Sequence, residues 1–218
     1  MFDAVLFDLD GTLADTAPDL AAALNRVRAG RGLDPVPLAM LRPHTSRGVR
    51  GLLEAGMAVV PGDPAYDQLA GEFLQHYAAA LCVDTLLFAG MDAILDRLEA
   101  DGIPWGIVTN KRARFTDPLV AALGLAHRAG CVVSGDTTAE AKPSPLPILH
   151  ACRALGRQAR ATLYVGDDRR DIIAGQAAGT ATAAAAYGYL GDSGPPETWN
   201  ADHLVRHPDE LAAVLFGR

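Results

Sequence analysis

Residues 4–16 read AVLFDLDGTLADT. The first four, Ala4 to Phe7, form a short apolar run that ends at an acid, which is the pattern of a strand buried on both faces. Gly11 then indicates a turn. Thr16 indicates the start of a helix, because it is followed by a proline in the first turn and by an acid three residues after this threonine cap. The stretch therefore predicts a strand, a turn that carries two aspartates, and a helix.

The rest of the chain divides into two kinds of pattern. Between residues 33 and 83 apolar side chains recur only at helical intervals. From Met91 onward strand patterns alternate with helical ones of about ten residues, which indicates a parallel sheet with helices on both faces. We predict an α/β fold: a Rossmann-like, doubly wound parallel sheet with a small α-helical domain inserted after the first strand. The core would comprise residues 1–16 and 84–218, and the insertion residues 17–83.

Composition limits the possible functions. Half of the 218 residues are hydrophobic and 21% are charged, which is ordinary for a globular protein. The formal net charge of −7 argues against nucleic acids and anionic membranes as partners, because both bind basic surfaces. No signal peptide is evident and no apolar run reaches the ~18 residues of a membrane span, so we expect a soluble, cytoplasmic protein. The three widely spaced cysteines are expected to be reduced thiols.

Polar residues follow the predicted strands at the sheet edge where ligands bind in open parallel sheets. They are Asp8 and Asp10 after the first strand, Thr109, Asn110 and Lys111 after the second, Lys142 in a later loop, and Asp167, Asp168 and Asp171 after the fourth. Each of them alone is an ordinary turn or surface residue. A sheet packed only for stability does not need them there, and their joint occurrence at successive strand ends indicates a site.

The residue types point to phosphoryl chemistry. Asp8 and Asp10 are two residues apart, so both point to one face of a continuing strand. Carboxylates this close, with Asp167 nearby, would repel each other and take up protons unless a cation lies between them. Oxygen ligands suit Mg²⁺, which also binds and orients phosphoryl groups. Aspartate is a nucleophile toward phosphorus, while Thr109 and Lys142 supply a hydroxyl and a cation for the phosphoryl oxygens.

Four stretches resemble the signatures of the haloacid dehalogenase superfamily. The signatures are similar to residues 7–16, to Val108-Thr109-Asn110, to Lys142-Pro143, and to Gly166-Asp167-Asp168 through Asp171. The match spans essentially the whole chain, and this four-part order is highly specific. The dehalogenases that gave the superfamily its name lack the second aspartate, so Asp10 favours phosphoryl transfer.

The resemblance implies catalytic roles. Asp8 would attack phosphorus, and Asp10 would protonate the leaving oxygen and then activate water. Thr109 and Lys142 would hold the phosphoryl group, and we count Asn110 with these substrate-binding residues. The helical insertion would be the mobile cap domain of the family, which closes over the substrate and excludes water.

The resemblance also implies a metal site. Mg²⁺ would be held by Asp8, the main-chain carbonyl of Asp10 and Asp167. Asp168 or Asp171 would support it, and the sequence leaves open which of the two contacts the metal directly.

Within the superfamily, the chain is most similar to the phosphoglycolate phosphatases and their relatives, which include the N-acetylmuramic acid 6-phosphate phosphatases. Residues 105–111, 166–171 and the tail around 187–189 and 199–202 resemble the latter. The resemblance implies a small phosphorylated metabolite that bears a carboxylate or is a sugar. We predict Arg47 and Arg50 of the insertion as ligands of a substrate carboxylate, because arginine binds carboxylates through two parallel hydrogen bonds.

Three alternatives stay open. A sugar phosphomutase or other phosphotransferase would use the same intermediate and differ only in its product. A non-enzymatic phosphoacceptor module also places acids and a lysine at strand ends, but the large insertion and Asp10 argue against it. An inactive scaffold is disfavoured because every catalytic position is filled. The sequence decides neither between monomer and homodimer nor between substrates.

Overall fold

The computed structural model describes residues 2–192 and 194–217. In that part of the chain the strands are β1 (Ala4–Phe7), β2 (Ala14–Asp15), β3 (Leu86–Leu87), β4 (Trp105–Val108), β5 (Cys131–Val133), β6 (Thr162–Gly166), β7 (Ala181–Ala185) and β8 (His203–Val205). The α-helices are α1 (Ala17–Ala29), α2 (Leu38–Leu41), α3 (Gly48–Met57), α4 (Tyr66–Ala79), α5 (Met91–Ala100), α6 (Ala113–Ala122), α7 (Leu146–Ala154), α8 (Arg169–Ala178) and α9 (Pro208–Phe216). Short 3₁₀ helices cover Arg42–Arg47, Ala159–Ala161 and Pro196–Thr198.

The main sheet is parallel, and its order in the described residues is β5-β4-β1-β6-β7-β8. β1 lies in the middle, with Phe7 opposite Ile107 on one side and Val165 on the other. The strand order reverses at β1, and ligands bind at such a switch point beyond the carboxyl ends of the strands. The prediction of a Rossmann-like α/β fold is confirmed.

Helices cover both faces of the sheet. Successive side chains of a strand point to opposite faces, and β1 shows this directly. Val5 and Phe7 pack in one buried cluster with side chains of α5, α6 and α9, whereas Leu6 packs in another with side chains of α7 and α8. Each large apolar side chain buried in this way contributes about 1.5–3 kcal/mol. The two apolar layers therefore fix β1 and the loop that follows it.

The helical insertion has a hydrophobic core of its own. Its buried side chains come from α1, α2, α3 and α4, and Phe115 of α6 is the residue of the main domain that joins them. The division into residues 1–16 and 84–218 against 17–83 stays a prediction, which this separate cluster supports.

Two connections join the insertion to the sheet, and they are tied together. β2 pairs antiparallel with β3. Asp19, the acid that we expected in a capping box, instead accepts hydrogen bonds from the main-chain N–H groups of Val83, Asp84 and Thr85. The expected cap of α1 is therefore wrong in its partners: Thr16 Oγ1 donates to Asp10 Oδ1 at 2.5 Å rather than capping the helix.

The structure also bears on the state of the cysteines and on membrane-spanning helices. Cys82, Cys131 and Cys152 are free thiols. Burial raises the pKa of Cys131 to about 11, so this thiol is protonated at neutral pH. None of the helices in the described residues is long and apolar enough to cross a membrane.

Candidate active site

Asp8 lies at the carboxyl end of β1 and lines a cavity between the sheet and the insertion. Its Oδ1 accepts a hydrogen bond from the main-chain N–H of Leu9 at 2.7 Å, and Lys142 Nζ lies 3.0 Å from the same oxygen. No hydrogen bond to Oδ2 arises from residues 2–192 or 194–217. The carboxylate is thus held through one oxygen while the other is left for a ligand.

Lys142 is a buried cation that joins the strands around Asp8. Its side chain is 1% exposed, and Nζ donates to the carbonyl of Val108 and the hydroxyl of Tyr164. Nζ also lies 2.7 Å from Asp171 Oδ1. Burial alone would lower the pKa of Lys142, but the carboxylates of Asp171 and Asp8 raise it. The ammonium group therefore stays charged beside Asp8.

Three acids form one cluster at this edge of the sheet. Asp8, Asp167 and Asp171 each place a carboxylate oxygen within 4.8 Å of the others. Burial raises the pKa of Asp8 to about 6, with the charge of Lys142 opposing the rise and those of Asp171 and Asp10 adding to it. Burial and the charge of Asp8 also raise the pKa of Asp167 well above its ordinary value. The cluster carries unfavourable charge repulsion, which a bound cation would relieve.

Asp167 is fixed against the loop after β1. Thr12 Oγ1 donates to its Oδ1 at 3.2 Å, and the main-chain N–H of Tyr189 donates to its Oδ2 at 2.8 Å. A Cβ atom at Gly11 would lie 2.1 Å from Asp167 Oδ2, and one at Gly188 would lie 2.3 Å from Asp167 Cβ. Glycine at these two positions lets the backbone approach the carboxylate closely.

Asp168 does not belong to this cluster. It is the N-cap of α8, where its side chain accepts a hydrogen bond from the main-chain N–H of Arg170. Asp171 in turn accepts from the main-chain N–H of Asp168, which completes a capping box. Of the two acids that the sequence left open as supporting ligands, the structure brings Asp171 beside Asp8 and turns Asp168 toward Arg170.

Asp10 lines the same cavity, but its carboxylate makes other contacts. Its Oδ1 accepts from Thr16 and lies 2.9 Å from Lys111 Nζ. Lys111 also donates to the hydroxyl of Tyr77 on α4 at 2.8 Å. Burial would lower the pKa of Lys111, but Asp10 and Tyr77 raise it. A cation that the sequence analysis assigned no role therefore connects Asp10 to the helical insertion.

Thr109 and Asn110 follow β4 and also line the cavity. Thr109 is buried, and its Oγ1 accepts from the main-chain N–H of Lys111. Both polar atoms of the Asn110 side chain bond to the main chain of Lys142, at 2.9 Å each. Asn110 thus fixes the loop that presents Lys142.

Of the two arginines predicted as carboxylate ligands, one lines the cavity and the other does not. Arg47 lines the cavity, which has a volume of about 520 Å³. Its guanidinium already pairs with Glu54 and, at 2.6 Å, with Asp192. Arg50 is exposed and is not among the residues that line the cavity.

Sequence reasoning missed several cations of the cavity wall. They are Arg112, Arg114 and Arg170, whereas Lys111 was placed at this edge of the sheet but given no role. The signal for Arg112 and Arg114 is their place in the run NKRAR shortly after β4, because residues beyond strand ends face the ligand site in this fold. Arg170 has the same signal, since it follows β6 and is the second residue of α8, as Arg114 is of α6.

Comparison with known proteins finds one family, two relatives and one solved structure to which the chain is similar. A family model described as haloacid dehalogenase-like hydrolase matches residues 5–185. The chain is 42% identical over 212 residues to the N-acetylmuramic acid 6-phosphate phosphatase of Pseudomonas putida (97% of this chain, 95% of that one). It is 46% identical over 209 residues to the phosphoglycolate phosphatase of Xanthomonas campestris pv. campestris (95% and 94%). It is also similar to the crystal structure described as a predicted phosphoglycolate phosphatase from Haemophilus somnus 129PT, with a TM-score of 0.85, 25% identity and 98% of each chain covered.

Proposed function

Because the chain belongs to the haloacid dehalogenase-like hydrolases, we propose that it is a Mg²⁺-dependent phosphomonoester phosphatase that forms an aspartyl-phosphate on Asp8. The observation that carries the proposal is the setting of Asp8. It combines a cavity-lining carboxylate held through one oxygen, a buried lysine 3.0 Å away and two further acids within 4.8 Å. Such a setting presents a carboxylate for attack on a bound phosphate.

The first half of the reaction makes the covalent intermediate. An oxygen of Asp8 forms a bond to phosphorus, and the bond from phosphorus to the ester oxygen breaks. Asp10 gives a proton to that leaving oxygen, so the product departs as an alcohol. Lys142 and Thr109 hold the phosphoryl oxygens as their charge rises.

The second half returns the enzyme to its starting state. Asp10, now deprotonated, takes a proton from a water molecule whose oxygen attacks phosphorus. The bond between phosphorus and Asp8 breaks, and inorganic phosphate leaves. Asp10 is positioned for both steps by Thr16 and Lys111, which hold Oδ1 and leave Oδ2 without a hydrogen bond from the described residues.

The acidic cluster fits Mg²⁺. It consists of buried oxygen ligands that repel one another, and Mg²⁺ prefers carboxylate oxygens to nitrogen or sulfur. Asp8 and Asp167 would hold the ion together with the main-chain carbonyl of Asp10, with Asp171 in support beside Asp8, whereas Asp168 is turned toward Arg170. When bound, Mg²⁺ supplies positive charge that neutralises the phosphoryl group during transfer.

We expect Mg²⁺ to switch on hydrolysis of p-nitrophenyl phosphate and to raise the melting temperature at pH 7.5. At 100 times the Kd of the ion the gain is about 3 kcal/mol, or about 6–12 °C for a chain of this size. The pKa of Asp8 rises on folding from 3.8 to about 6. The metal-free protein therefore loses stability as the pH rises through this window, and a cation restores that stability. The gain should be full above pH 6 and shrink below it, because protons then compete with the metal.

The melting temperature is measured by differential scanning fluorimetry from pH 5 to 8. Potassium chloride at equal ionic strength is the control. Hydrolysis that continues in EDTA, or a melting temperature that Mg²⁺ and K⁺ change equally, would contradict a dependence on Mg²⁺.

Asp10→Asn is expected to slow turnover of an alkyl phosphate by about 10²- to 10⁴-fold, because proton transfer contributes that much. The first step with p-nitrophenyl phosphate should be affected less, since p-nitrophenolate leaves without a proton. Loss of the base should then leave covalent phosphate on the protein, which intact mass spectrometry detects. An equal loss on both substrates without a phosphorylated species would remove the acid–base role from Asp10.

The relatives support a class of substrate. One is a phosphoglycolate phosphatase and another an N-acetylmuramic acid 6-phosphate phosphatase. We propose a small phosphate ester that bears a carboxylate or is a sugar. Values of kcat/KM on phosphoglycolate, N-acetylmuramic acid 6-phosphate, nucleotides and sugar phosphates rank the candidates, and release of inorganic phosphate separates a phosphatase from a phosphomutase.

A further inference from the structure

The cations that line the cavity differ in whether a carboxylate neutralises them. The paired ones are Lys111 with Asp10, Lys142 with Asp8 and Asp171, Arg170 with Asp168, and Arg47 with Asp192 and Glu54. Arg112 and Arg114 form no ion pair with any carboxylate in residues 2–192 and 194–217. They are the cavity cations whose charge is left for a ligand.

Arg112 and Arg114 flank the first residue of α6 and are exposed, so they stand at the open edge of the cavity. The guanidinium of Arg114 lies 4.5 Å from the centroid of the Phe115 ring, which itself lines the cavity. The acid that the fold brings to this turn is Asp136, whose Oδ1 accepts from the main-chain N–H of Ala113. That carboxylate caps the turn and pairs with neither arginine.

Unpaired guanidinium groups in this place favour an anionic ligand group. The chain as a whole is acidic, with a net charge of −7, so two uncompensated arginines at the edge of a cavity are a local positive field. A guanidinium presents a planar fork of donors that matches a carboxylate through two hydrogen bonds. The phosphate of the substrate is already provided for by Lys142 and Thr109, which are buried, whereas Arg112 and Arg114 are exposed.

The lining of the cavity also has an apolar part. This apolar wall is formed by Leu20, Val49, Phe73, Leu74 and Phe115. The volume of about 520 Å³ falls within the range of about 300–1,000 Å³ that encloses drug-sized ligands. A two-carbon acid would leave most of this wall in contact with water, whereas an acylated sugar acid would cover it.

We propose that Arg112 and Arg114 form a carboxylate subsite, and that the substrate is a sugar-sized phosphate ester whose carboxylate is remote from its phosphate. The proposal rests on the phosphatase function proposed above. It moves the carboxylate ligands from Arg47 and Arg50, where the sequence led us to expect them, to the start of α6. N-acetylmuramic acid 6-phosphate has the required chemistry, with a lactyl carboxylate and with apolar methyl groups in its lactyl and acetyl substituents.

The test compares two substrates that differ in the lactyl group alone: N-acetylmuramic acid 6-phosphate and N-acetylglucosamine 6-phosphate. Each of Arg112→Gln and Arg114→Gln should lower kcat/KM on the muramic acid ester by about 10- to 100-fold, the loss expected for a hydrogen bond to a charged group. The same variants should leave kcat/KM on the glucosamine ester and on p-nitrophenyl phosphate unchanged. Phosphoglycolate should be a poor substrate that neither variant affects.

Arg50→Gln is the matched control, because Arg50 is an exposed arginine outside the cavity lining. It should match the wild type on all four substrates. The proposal is overturned if the arginine variants lose activity equally on both sugar phosphates, if they lose none, or if phosphoglycolate is the preferred substrate of the wild type. Absence of any p-nitrophenyl phosphate hydrolysis by the wild type would instead refute the phosphatase function itself. Unchanged p-nitrophenyl phosphate turnover also shows that the variants are folded.

Discussion

Asp8→Asn should abolish phosphatase turnover while leaving the protein at least as stable as the wild type. An amide cannot attack phosphorus to form the acyl-phosphate, so the covalent route is closed rather than slowed. We expect a loss of at least about 10⁴-fold in kcat, the scale on which removal of a nucleophile acts in covalent hydrolases. The pKa of Asp8 is raised to about 6 because burial and neighbouring acids oppose its charge. A neutral side chain there relieves repulsion in the metal-free protein.

Stability and activity should therefore move in opposite directions. The measurements are kcat on p-nitrophenyl phosphate with Mg²⁺ and the urea midpoint at pH 7.5 without metal. Asp3→Asn is the control, because Asp3 is an exposed acid at the other end of β1. It should change neither quantity. Residual turnover of Asp8→Asn within tenfold of the wild type would remove Asp8 as the nucleophile, whatever its effect on folding.

The site residues that could be predicted from the sequence are those that directly follow a β-strand. Asp8, Thr109 and Asp167 each come directly after a strand that apolar runs reveal, and parallel strands place their carboxyl ends at one edge. Their proximity therefore follows from topology alone. Their chemical roles stay predictions until the variants are made.

The choice between Asp168 and Asp171 could not be made in this way. Both follow β6 within one helical turn, and either spacing is compatible with a metal ligand. The capping box of α8 decides their positions: the side chain of Asp168 turns back to cap the helix, and Asp171 is directed toward Lys142 and Asp8. A local hydrogen-bond pattern of this kind depends on where the helix begins, which sequence patterns give only within a few residues.

The insertion was still less predictable, because its arginines face partners that are distant in sequence. Arg47 pairs with Asp192, which is 145 residues away, and Arg42 pairs with Asp15. The two-residue strands β2 and β3 that tie its connections together are too short to give any periodicity. The sequence shows that arginines are present, but not which of them a carboxylate already neutralises. Arg47 is already paired with carboxylates and Arg50 lies outside the cavity lining, which is why we propose Arg112 and Arg114 as the carboxylate ligands.

Lys142→Met should cost both catalysis and folding stability. Lys142 and Lys111 are the only lysines in the chain, and Lys142 lies between two buried acids with its own side chain 1% exposed. Its removal leaves the fully buried carboxylate of Asp171 without a counter-charge, so we expect a loss of about 3–5 kcal/mol in the free energy of unfolding. Loss of the cation that holds the phosphoryl oxygens should lower kcat/KM by about 10²- to 10³-fold.

The double variant Lys142→Met, Asp171→Asn separates these two effects. In the single variant the Asp171 carboxylate has no counter-charge, and the double variant removes that carboxylate. Most of the lost free energy of unfolding, measured with urea at pH 7.5, should therefore return. Activity should not return, because the ammonium group that holds the phosphoryl oxygens is still missing and the acidic cluster has lost one of its carboxylates. Lys111→Met is the matched control: its ammonium pairs with Asp10 and Tyr77, not with Asp171, so Asp171→Asn should give that variant no comparable rescue. A double variant no more stable than Lys142→Met would mean that the lysine stabilises the fold through its contacts with Val108 and Tyr164 rather than by neutralising Asp171.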